Sequence, residues 1–222
     1  MADAIASAKG ALYVQDTDGE QTGTGTIAAT AGAATVTGTG TAFDTQLAVG
    51  DLVYHSGSDQ LRMVTVVTSA TAITVDTNWD TTIAAGQAFT FFDMEQVTGM
   101  TAANLPNLQA AQIDVSTLDT TGFRKKISGL IDSGTIDGTL FFTPQDTAHK
   151  RIYDFVTDGL NKVWTIWIPD ASDGTAVPDL KNSRYYFRAS VNTFGGEIPL
   201  DGAIQASISL LISGKPILKE GT

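Results

Sequence analysis

The sequence lacks several features that would point to disulfide chemistry or to a membrane. None of its 222 residues is a cysteine, which excludes disulfide bonds, thiolate metal sites and a cysteine nucleophile. No stretch approaches the roughly 18 apolar residues that a membrane helix needs. The first ten residues lack the basic start and apolar stretch of a secretory signal. We therefore expect a soluble protein that folds in a cytoplasm, with no membrane insertion.

Basic residues are also scarce, and the shortage is confined to one half of the chain. Residues 1–120 contain 13 acidic side chains but only Lys9 and Arg62 as bases, which gives a net charge of −11. Residues 121–222 contain 11 acids and 11 bases and are neutral overall. An acidic half disfavours a grip on nucleic acid, which needs clustered lysine and arginine. Such acidity either keeps the protein soluble or forms a surface that repels a polyanion.

Motifs for catalysis and cofactor binding are missing as well. There is no Gly-Lys-Ser/Thr phosphate loop and no Gly-x-Ser-x-Gly elbow. Gly23–Ala28 matches a loose Gly-x-Gly-x-x-Ala pattern, but a threonine-rich β stretch follows where a helix is required, which favours a turn. His55 and His149 lie far apart and outside any metal-binding frame, and His149 is expected on a solvated helix face. We predict no catalytic residue, no cofactor and no metal, and hence no enzyme.

Glycine and threonine are abundant, and they occur among short apolar or alternating runs. Ala11–Gln15 is predicted as the first strand, and a turn follows it. Residues 22–92 then break into six runs with glycine or aspartate in nearly every gap: Thr26–Ala29, Ala34–Thr37, Leu52–His55, Leu61–Val67, Ala72–Val75 and Ala88–Phe92. Short strands at this spacing predict a small β-barrel or sandwich.

Residues 93–222 show longer alternation. In the last strand apolar residues alternate with mainly polar ones, so its register is firmly specified: Ile204, Ala206, Ile208, Leu210 and Ile212. Further strands are predicted at Ile113–Val115, Thr135–Phe142, Val163–Ile168 and Arg184–Val191. In the last of these, one face is expected to hold Tyr185, Phe187, Ala189 and Val191.

One helix is predicted over residues 144–158. Thr143 can cap it, Pro144 suits its first position and Asp146 falls in its first turn. Gly159 supplies the C-terminal stop. One apolar stripe for packing on a sheet is formed by Ala148, Ile152, Phe155 and Val156.

The order of these elements resembles that of a known family. The residues that carry the resemblance are Lys9–Val14, Ala111–Gly134 with its Gly-Leu-Ile-Asp-Ser-Gly ending, Ile136–Leu140, the helix, the tryptophan-rich strand and Phe187–Val191. They are similar to the major tail tube proteins of lambda-like siphophages, whose tails are long and non-contractile. The resemblance implies a mainly β fold, a tail-tube β-sandwich or barrel with one flanking α-helix, plus here a small inserted all-β domain.

The resemblance also implies a domain organisation and a function. A discontinuous tube domain would comprise residues 1–21 and 93–222. Residues 22–92 depart from the family pattern, and we expect them to be an inserted β-domain on the outer surface of the tube. Six subunits would form a ring, and stacked rings would make the hollow conduit for DNA ejection. Implied partners are other copies of the chain, a tape measure protein in the lumen, tail initiator and terminator proteins, and viral DNA in transit. The location would be the virion tail, after assembly in the host cytoplasm.

One loop is the candidate for contact between rings. Arg124, Lys125 and Lys126 form the only basic cluster, in what is predicted to be a long loop over residues 116–130. The loop matches the stacking loop of the family, and Asp119 and Phe123 belong to the same candidate set. A loop of mixed charge suits an acidic neighbour, although a solvated loop would have the same composition.

Three alternatives remain open at this stage. A minor tail, receptor-binding or baseplate-hub protein would use the small β module as its binder and would form a closed oligomer. A secretion-system tube protein of the same fold would usually lack the inserted module. A hydrolase would show turnover.

Overall fold

The computed structural model describes residues 10–16, 19–116, 123–170 and 179–221. The chain divides into two compact units. The first unit holds residues up to 97, 162–186 and from 218 onward, and the second holds 98–161 and 187–217. No helix in the described ranges is long and apolar enough to cross a membrane.

The described chain is mainly β, as predicted. Strands and helices up to residue 97 are β1 (Ala11–Gln15), β2 (Gln21–Thr22), β3 (Thr26–Ala29), β4 (Thr35–Thr39), α1 (Phe43–Gln46), β5 (Leu52–His55), β6 (Gln60–Ser69), β7 (Ala72–Val75), β8 (Ile83–Gln87), β9 (Thr90–Phe92) and β10 (Met94–Val97). Beyond it are β11 (Met100–Ala103), β12 (Gln109–Asp114), β13 (Lys126–Asp132), β14 (Thr135–Phe141), α2 (Thr147–Asp158), β15 (Lys162–Ile168), β16 (Ser183–Glu197) and β17 (Gln205–Lys219).

Strands from residues 21–92 form a sheet of their own. Its order is β2-β9-β5-β6-β7-β4-β3-β8. Alternation buries one side of the short strands, as Ile27 and Ala29 on β3 illustrate. The buried core of this sheet, the module core, includes Ile27, Val36, Phe43, Val53, Val64, Ile73, Trp79, Ile83, Phe89 and Phe91.

The predicted runs locate most strands of this sheet. Thr26–Ala29, Leu52–His55 and Ala72–Val75 are confirmed to the residue as β3, β5 and β7. The prediction missed β8 and the short helix α1. In β8 only Ile83 is buried, and the Ala-Ala-Gly that follows has low β propensity, so tertiary pairing with β3 decides its conformation.

The first unit also contains the order β10-β1-β15-β16. β1 pairs antiparallel with both β10 and β15. β15 is buried at five successive positions, including Trp164 and Trp167, because it is covered on both faces.

A buried ion pair joins β16 to the turn after β7. Arg184 Nη2 lies 3.2 Å from Asp76 Oδ2, and the two side chains are 2% and 1% exposed. The other Asp76 oxygen accepts a hydrogen bond from the Met63 backbone N–H at 3.2 Å. The Arg184 guanidinium lies 5.2 Å from the centre of the Trp167 ring. The turn after β7 is therefore held to β16 by a buried ion pair, and the same guanidinium packs on a tryptophan of β15.

In the second unit the sheet order is β16-β17-β14-β11. β14 and β17 pair antiparallel from Thr135 with Leu211 to Phe141 with Gln205. The predicted register of the last strand is confirmed, because the core side of β17 holds Ala206, Ile208, Leu210 and Ile212. The predicted face of β16 is wrong at one position. Tyr186 is fully buried and Tyr185 only half-buried, so the alternation changes before Phe187, where the chain passes from one unit to the other.

Helix α2 begins three residues later than the sequence predicts. Its N-cap is Asp146, whose Oδ1 accepts hydrogen bonds from the backbone N–H groups of Ala148 and His149. Thr143 is therefore not the cap, because an aspartate side chain closer to the helix satisfies the free N–H groups. The C-terminal stop at Gly159 is confirmed by its φ of 64°.

The prediction that His149 lies on a solvated face is wrong. The side chain is fully buried, with Nε2 2.9 Å from the Thr98 carbonyl oxygen. The Thr143 backbone N–H donates to Nδ1 at 3.1 Å, which places the ring proton on Nε2. Phe142 stacks on the ring at a centroid distance of 5.8 Å. The buried stripe of α2 is wider than its apolar residues suggested, because a histidine with both nitrogens bonded can be buried.

A buried carboxylate, directly before β5, links that part of the chain to β10. The side chain of Asp51 is buried and accepts hydrogen bonds from the backbone N–H groups of Ala48, at 2.7 Å, and Met94, at 3.4 Å. Burial raises the pKa of Asp51 to about 6, and the negative charge of Asp93 adds to the shift. Folding therefore favours the protonated form of this carboxyl.

Removing Asp76 should destabilise the protein strongly. We expect Asp76→Ala to lower the free energy of unfolding by about 3–5 kcal/mol, because Arg184 would stay buried without its partner. Urea unfolding followed by tryptophan fluorescence measures the loss. The matched control is Asp80→Ala, which removes an Arg62 partner that is 77% exposed. The control substitution should lower the free energy of unfolding by less than about 1 kcal/mol. Equal losses in the two variants would contradict this account.

Asp51 should make the stability depend on pH in an unusual direction. The pKa of Asp51 in the folded state, about 6, is above the unfolded value of 3.8. Its contribution to the free energy of unfolding is therefore fully present below pH 3.8 and is lost as the pH rises through 6. Relative to Asp51→Asn, the wild type should gain about 1–2 kcal/mol of unfolding free energy between pH 8 and pH 5. Urea unfolding of both proteins at several pH values tests this. A difference that does not change with pH would show that the buried carboxyl does not titrate in this range.

Candidate assembly surface

The most exposed strands of the second unit form the β12–β13 hairpin. The two strands pair antiparallel with each other and make a separate two-stranded sheet. Gln109 lies opposite Asp132 at the base, and Asp114 lies opposite Lys126 next to the connecting loop. A bulge between Ala110 and Gln112 shifts the register. An isolated two-stranded hairpin is at best marginally stable in water.

The base of the hairpin is anchored to the sheet of the second unit. Gly134 has φ +71°, a conformation that favours glycine, and its N–H donates to Asp132 Oδ1 at 2.9 Å. The Ser133 hydroxyl donates to the Gly214 carbonyl oxygen at 2.5 Å. The hairpin therefore ends just before β14 begins, and its base lies beside the middle of β17.

Large apolar side chains lie exposed on both hairpin strands and on the loop. The exposed fractions are 49% for Ile113, 40% for Val115, 94% for Phe123, 53% for Ile127, 89% for Leu130 and 69% for Ile131. Six of the seven residues of β13 are exposed, so neither face of this strand packs against the rest of the described chain. An apolar surface of this kind is typical of a protein–protein contact.

Basic side chains and one carboxylate surround the end of the hairpin. Arg124 Nη1 lies 3.8 Å from Asp114 Oδ2, and Lys126 Nζ donates to Gln112 Oε1 at 2.8 Å. Hydrogen bonds from Ser116 lower the pKa of Asp114, which keeps this carboxylate charged. The Lys125 backbone N–H donates to Ser116 Oγ at 2.9 Å, which joins the two segments that follow β12 and precede β13.

The structure places four of the five candidate contact residues together. Phe123, Arg124, Lys125 and Lys126 are all exposed at the end of the hairpin. Asp119 lies outside the described residues. The predicted loop over residues 116–130 is wrong in its last third, because residues from Lys126 to Leu130 belong to β13. Cross-strand pairing with β12 overrides the local preference of a segment that contains Gly129 and follows a basic cluster.

Sequence reasoning missed the apolar part of the surface. Ile127, Leu130 and Ile131 lie directly after the basic cluster, whose charges dominate the sequence pattern there. The available signal was the run of apolar residues around Gly129 on the C-terminal side of that cluster. Strand propensity alone does not reveal that both faces of such a hairpin stay exposed.

A second surface feature lies on the solvent-exposed face of the β14–β17 sheet. It is a shallow hollow whose lining includes Asn104, Asp137, Thr139, Thr193, Ser207 and Ser209, and no lysine or arginine. The Ser209 hydroxyl donates to Asp137 Oδ1 at 2.6 Å. Within the described ranges, no group of three or more histidine, aspartate or glutamate side chains is placed to hold a metal ion.

Comparison with known proteins gives a family match for most of the chain. The model of the family described as phage tail tube, TTP, lambda-like, matches residues 81–220. "Structural protein 3" of Pseudomonas phage PAJU2 is 26% identical over 154 residues, covering 61% of this chain and 92% of that protein.

Solved structures from two tailed particles are also similar. A chain from the virion of a native gene transfer agent particle has a TM-score of 0.45 at 19% identity, covering 57% of this chain and 88% of that one. The SPP1 tail tube has a TM-score of 0.44 at 15% identity, covering 58% of this chain and 69% of that one. With its family match over residues 81–220, the chain is a structural protein of the phage tail and belongs to the lambda-like phage tail tube family.

Proposed function

We propose that this chain is the repeating subunit of a tail tube, in which six copies close into a ring and rings stack through the β12–β13 hairpin. The observation that carries the proposal is the hairpin itself, a two-stranded sheet with large apolar side chains exposed on a strand that packs on neither face. Covering these side chains with the next ring would remove apolar surface from water. The role is mechanical, and the proposal gives the chain no catalytic part.

Ring closure is supported by the free edges of the sheets. Among the described strands, β11 is the end strand of the second unit beside β14, and β10 is the end strand of the first unit beside β1. An end strand presents unpaired N–H and C=O groups that readily pair with another chain. Pairing between subunits around a closed ring would satisfy these groups.

The proposed passage of DNA is supported by the composition of the solvent-exposed face of the β14–β17 sheet. Its hollow is lined by hydroxyl and amide groups, Asp137 and small apolar residues such as Ala102 and Ala103, without a base. A wall of this kind does not attract phosphate, whereas clustered lysine and arginine would hold it. Taken as the lumen wall, this face would let DNA move during ejection.

We further propose that residues 22–92 form an inserted domain on the outside of the tube, and that residues 1–21 and 93–222 form the tube domain. The separate eight-stranded sheet with its own core supports this division. A contractile tail has a sheath around its tube, with little room for a protrusion of this size. The inserted domain therefore favours a non-contractile tail. Tape measure, initiator and terminator proteins would be the other partners of the tube.

Reversing the basic cluster should prevent stacking without unfolding the subunit. We expect the purified wild type, concentrated and incubated, to form hollow tubes with a regular axial repeat in negative-stain electron microscopy. Arg124→Glu/Lys125→Glu/Lys126→Glu should form few or none, because its hairpin would repel an acidic partner surface. Exposed substitutions of this kind should change unfolding free energy by less than about 0.5 kcal/mol each.

The matched control reverses three bases elsewhere, Lys150→Glu/Lys181→Glu/Lys219→Glu, with the same change in net charge, and should still form tubes. Tubes of unchanged length from the hairpin variant would contradict stacking through the basic cluster. Closed rings or trimers of wild type that never stack would instead favour a minor tail protein.

A three-dimensional map of the tubes should show six-fold rings with residues 22–92 on the outer surface. The reason is that the tube wall needs only the strands outside that segment. Helical reconstruction from electron cryomicroscopy locates residues 22–92 directly. Density for residues 22–92 in the lumen or between rings would contradict the proposed domain organisation, and another ring symmetry would contradict the hexamer.

A further inference from the structure

The turn between β16 and β17 is a second exposed apolar feature of the second unit. Ile198 and Leu200 within it are 83% and 99% exposed. Glu197 and Asp201, beside them, are exposed as well. The sequence contains no lysine or arginine between Arg188 and Lys215. The turn therefore combines large aliphatic side chains with negative charge, and we call residues 197–202 the acidic turn.

The strand register places the acidic turn and the hairpin at opposite ends of one sheet. β14 begins at Thr135, directly after the base of the hairpin, and this residue lies opposite Leu211. It ends at Phe141, which lies opposite Gln205, and the Phe142 N–H donates to the Ile204 carbonyl oxygen at 2.8 Å. Seven residues of β14 separate the two ends, a distance of about 20 Å at about 3.4 Å per residue.

The two features are complementary in character. The hairpin end carries Phe123, 94% exposed, beside the exposed Arg124, Lys125 and Lys126. Its described acids are Asp114, which pairs with Arg124, and Asp132 at the base, so bases are in excess. Lys215 follows Gly214, which accepts the Ser133 hydroxyl at the hairpin base, and adds a further positive charge there. The acidic turn offers the opposite charge around Ile198 and Leu200.

We propose that the acidic turn of one subunit is the surface that receives the hairpin end of a second copy in the next ring. The contact would bury Phe123 against Ile198 and Leu200, with Arg124 and Lys125 facing Glu197 and Asp201. This inference rests on the proposed stacking function and identifies the receiving surface. Because the two surfaces differ and lie at opposite ends of a sheet, the contact is head-to-tail and leaves both outer ends free, so it propagates into a filament.

Because the chain has no cysteine, paired single-cysteine variants test this contact directly. Phe123→Cys protein mixed with Leu200→Cys protein should give, under mild oxidation, several-fold more disulfide-linked dimer than either variant alone. The matched control mixes Phe123→Cys with Leu160→Cys, whose residue is 61% exposed and lies outside both surfaces. Dimer yields in the first mixture no higher than in the control would overturn the proposal.

Charge exchange gives a second, independent test. Glu197→Lys/Asp201→Lys should lose tube formation, and combining it with Arg124→Glu/Lys125→Glu should restore tubes, because the reversed surfaces attract each other again. The control Asp154→Lys/Glu220→Lys has the same charge change at exposed positions outside both surfaces and should assemble. Normal tubes from the acidic-turn variant, or no restoration in the combined variant, would overturn the pairing.

The two proposals can fail separately. Wild-type tubes without the specific disulfide or the charge rescue would leave the tube function standing and overturn the acidic turn as the receiving surface. The specific disulfide between copies that never form hollow tubes would support the contact and count against the tube. Neither tubes nor the specific disulfide would overturn both.

Discussion

The antiparallel register between β14 and β17 determines where the proposed contact surfaces of the second unit lie. Seven consecutive residue pairs, from Thr135 with Leu211 to Phe141 with Gln205, are held by alternation of buried and exposed side chains. A shift by one residue would turn Ala206, Ile208 and Leu210 outward, so the apolar core prevents it. The same register carries the hairpin to one end of the sheet and the acidic turn to the other.

Stability and assembly use different residues in this chain. The first unit depends on packed aromatic side chains and on a buried ion pair between Arg184 and Asp76, neither of which is available to a partner. Residues proposed for assembly are exposed and make few contacts within the described chain. A subunit built in this way can fold before it assembles, because the core does not need the ring. Substitutions on the hairpin should consequently affect association far more than folding.

The acidity of the chain has two consequences for a tube. Net negative charge keeps free subunits apart before assembly. In the proposed stacking, the few bases concentrated at the end of the hairpin would provide local attraction against this general repulsion and would make association directional. On the proposed lumen face, hydroxyl groups and Asp137 present no attraction to phosphate. In this proposal, charge distribution rather than any single residue separates the assembling surface from the face that lines the lumen.

Local sequence patterns determined the β class, many strand bounds and the register of β17. Short-range alternation and turn residues decide these features, and the order of elements was enough to predict the family. The burial of His149 and the ion pair from Asp76 to Arg184 were decided only by tertiary structure. Each depends on groups far apart in sequence, such as Thr98 with His149.

The same limit applies to the candidate surface. Phe123 and the three bases were named as candidates from the sequence because their segment has mixed charge and resembles the stacking loop of the family. Residues Ile127, Leu130 and Ile131 could not, because the sequence does not show whether a strand with apolar residues packs inside or stays outside. Burial of such a strand requires another part of the chain to pack on it, and in the described structure no such segment covers β13. The distance between hairpin and acidic turn is likewise a property of the paired strands, not of either segment alone.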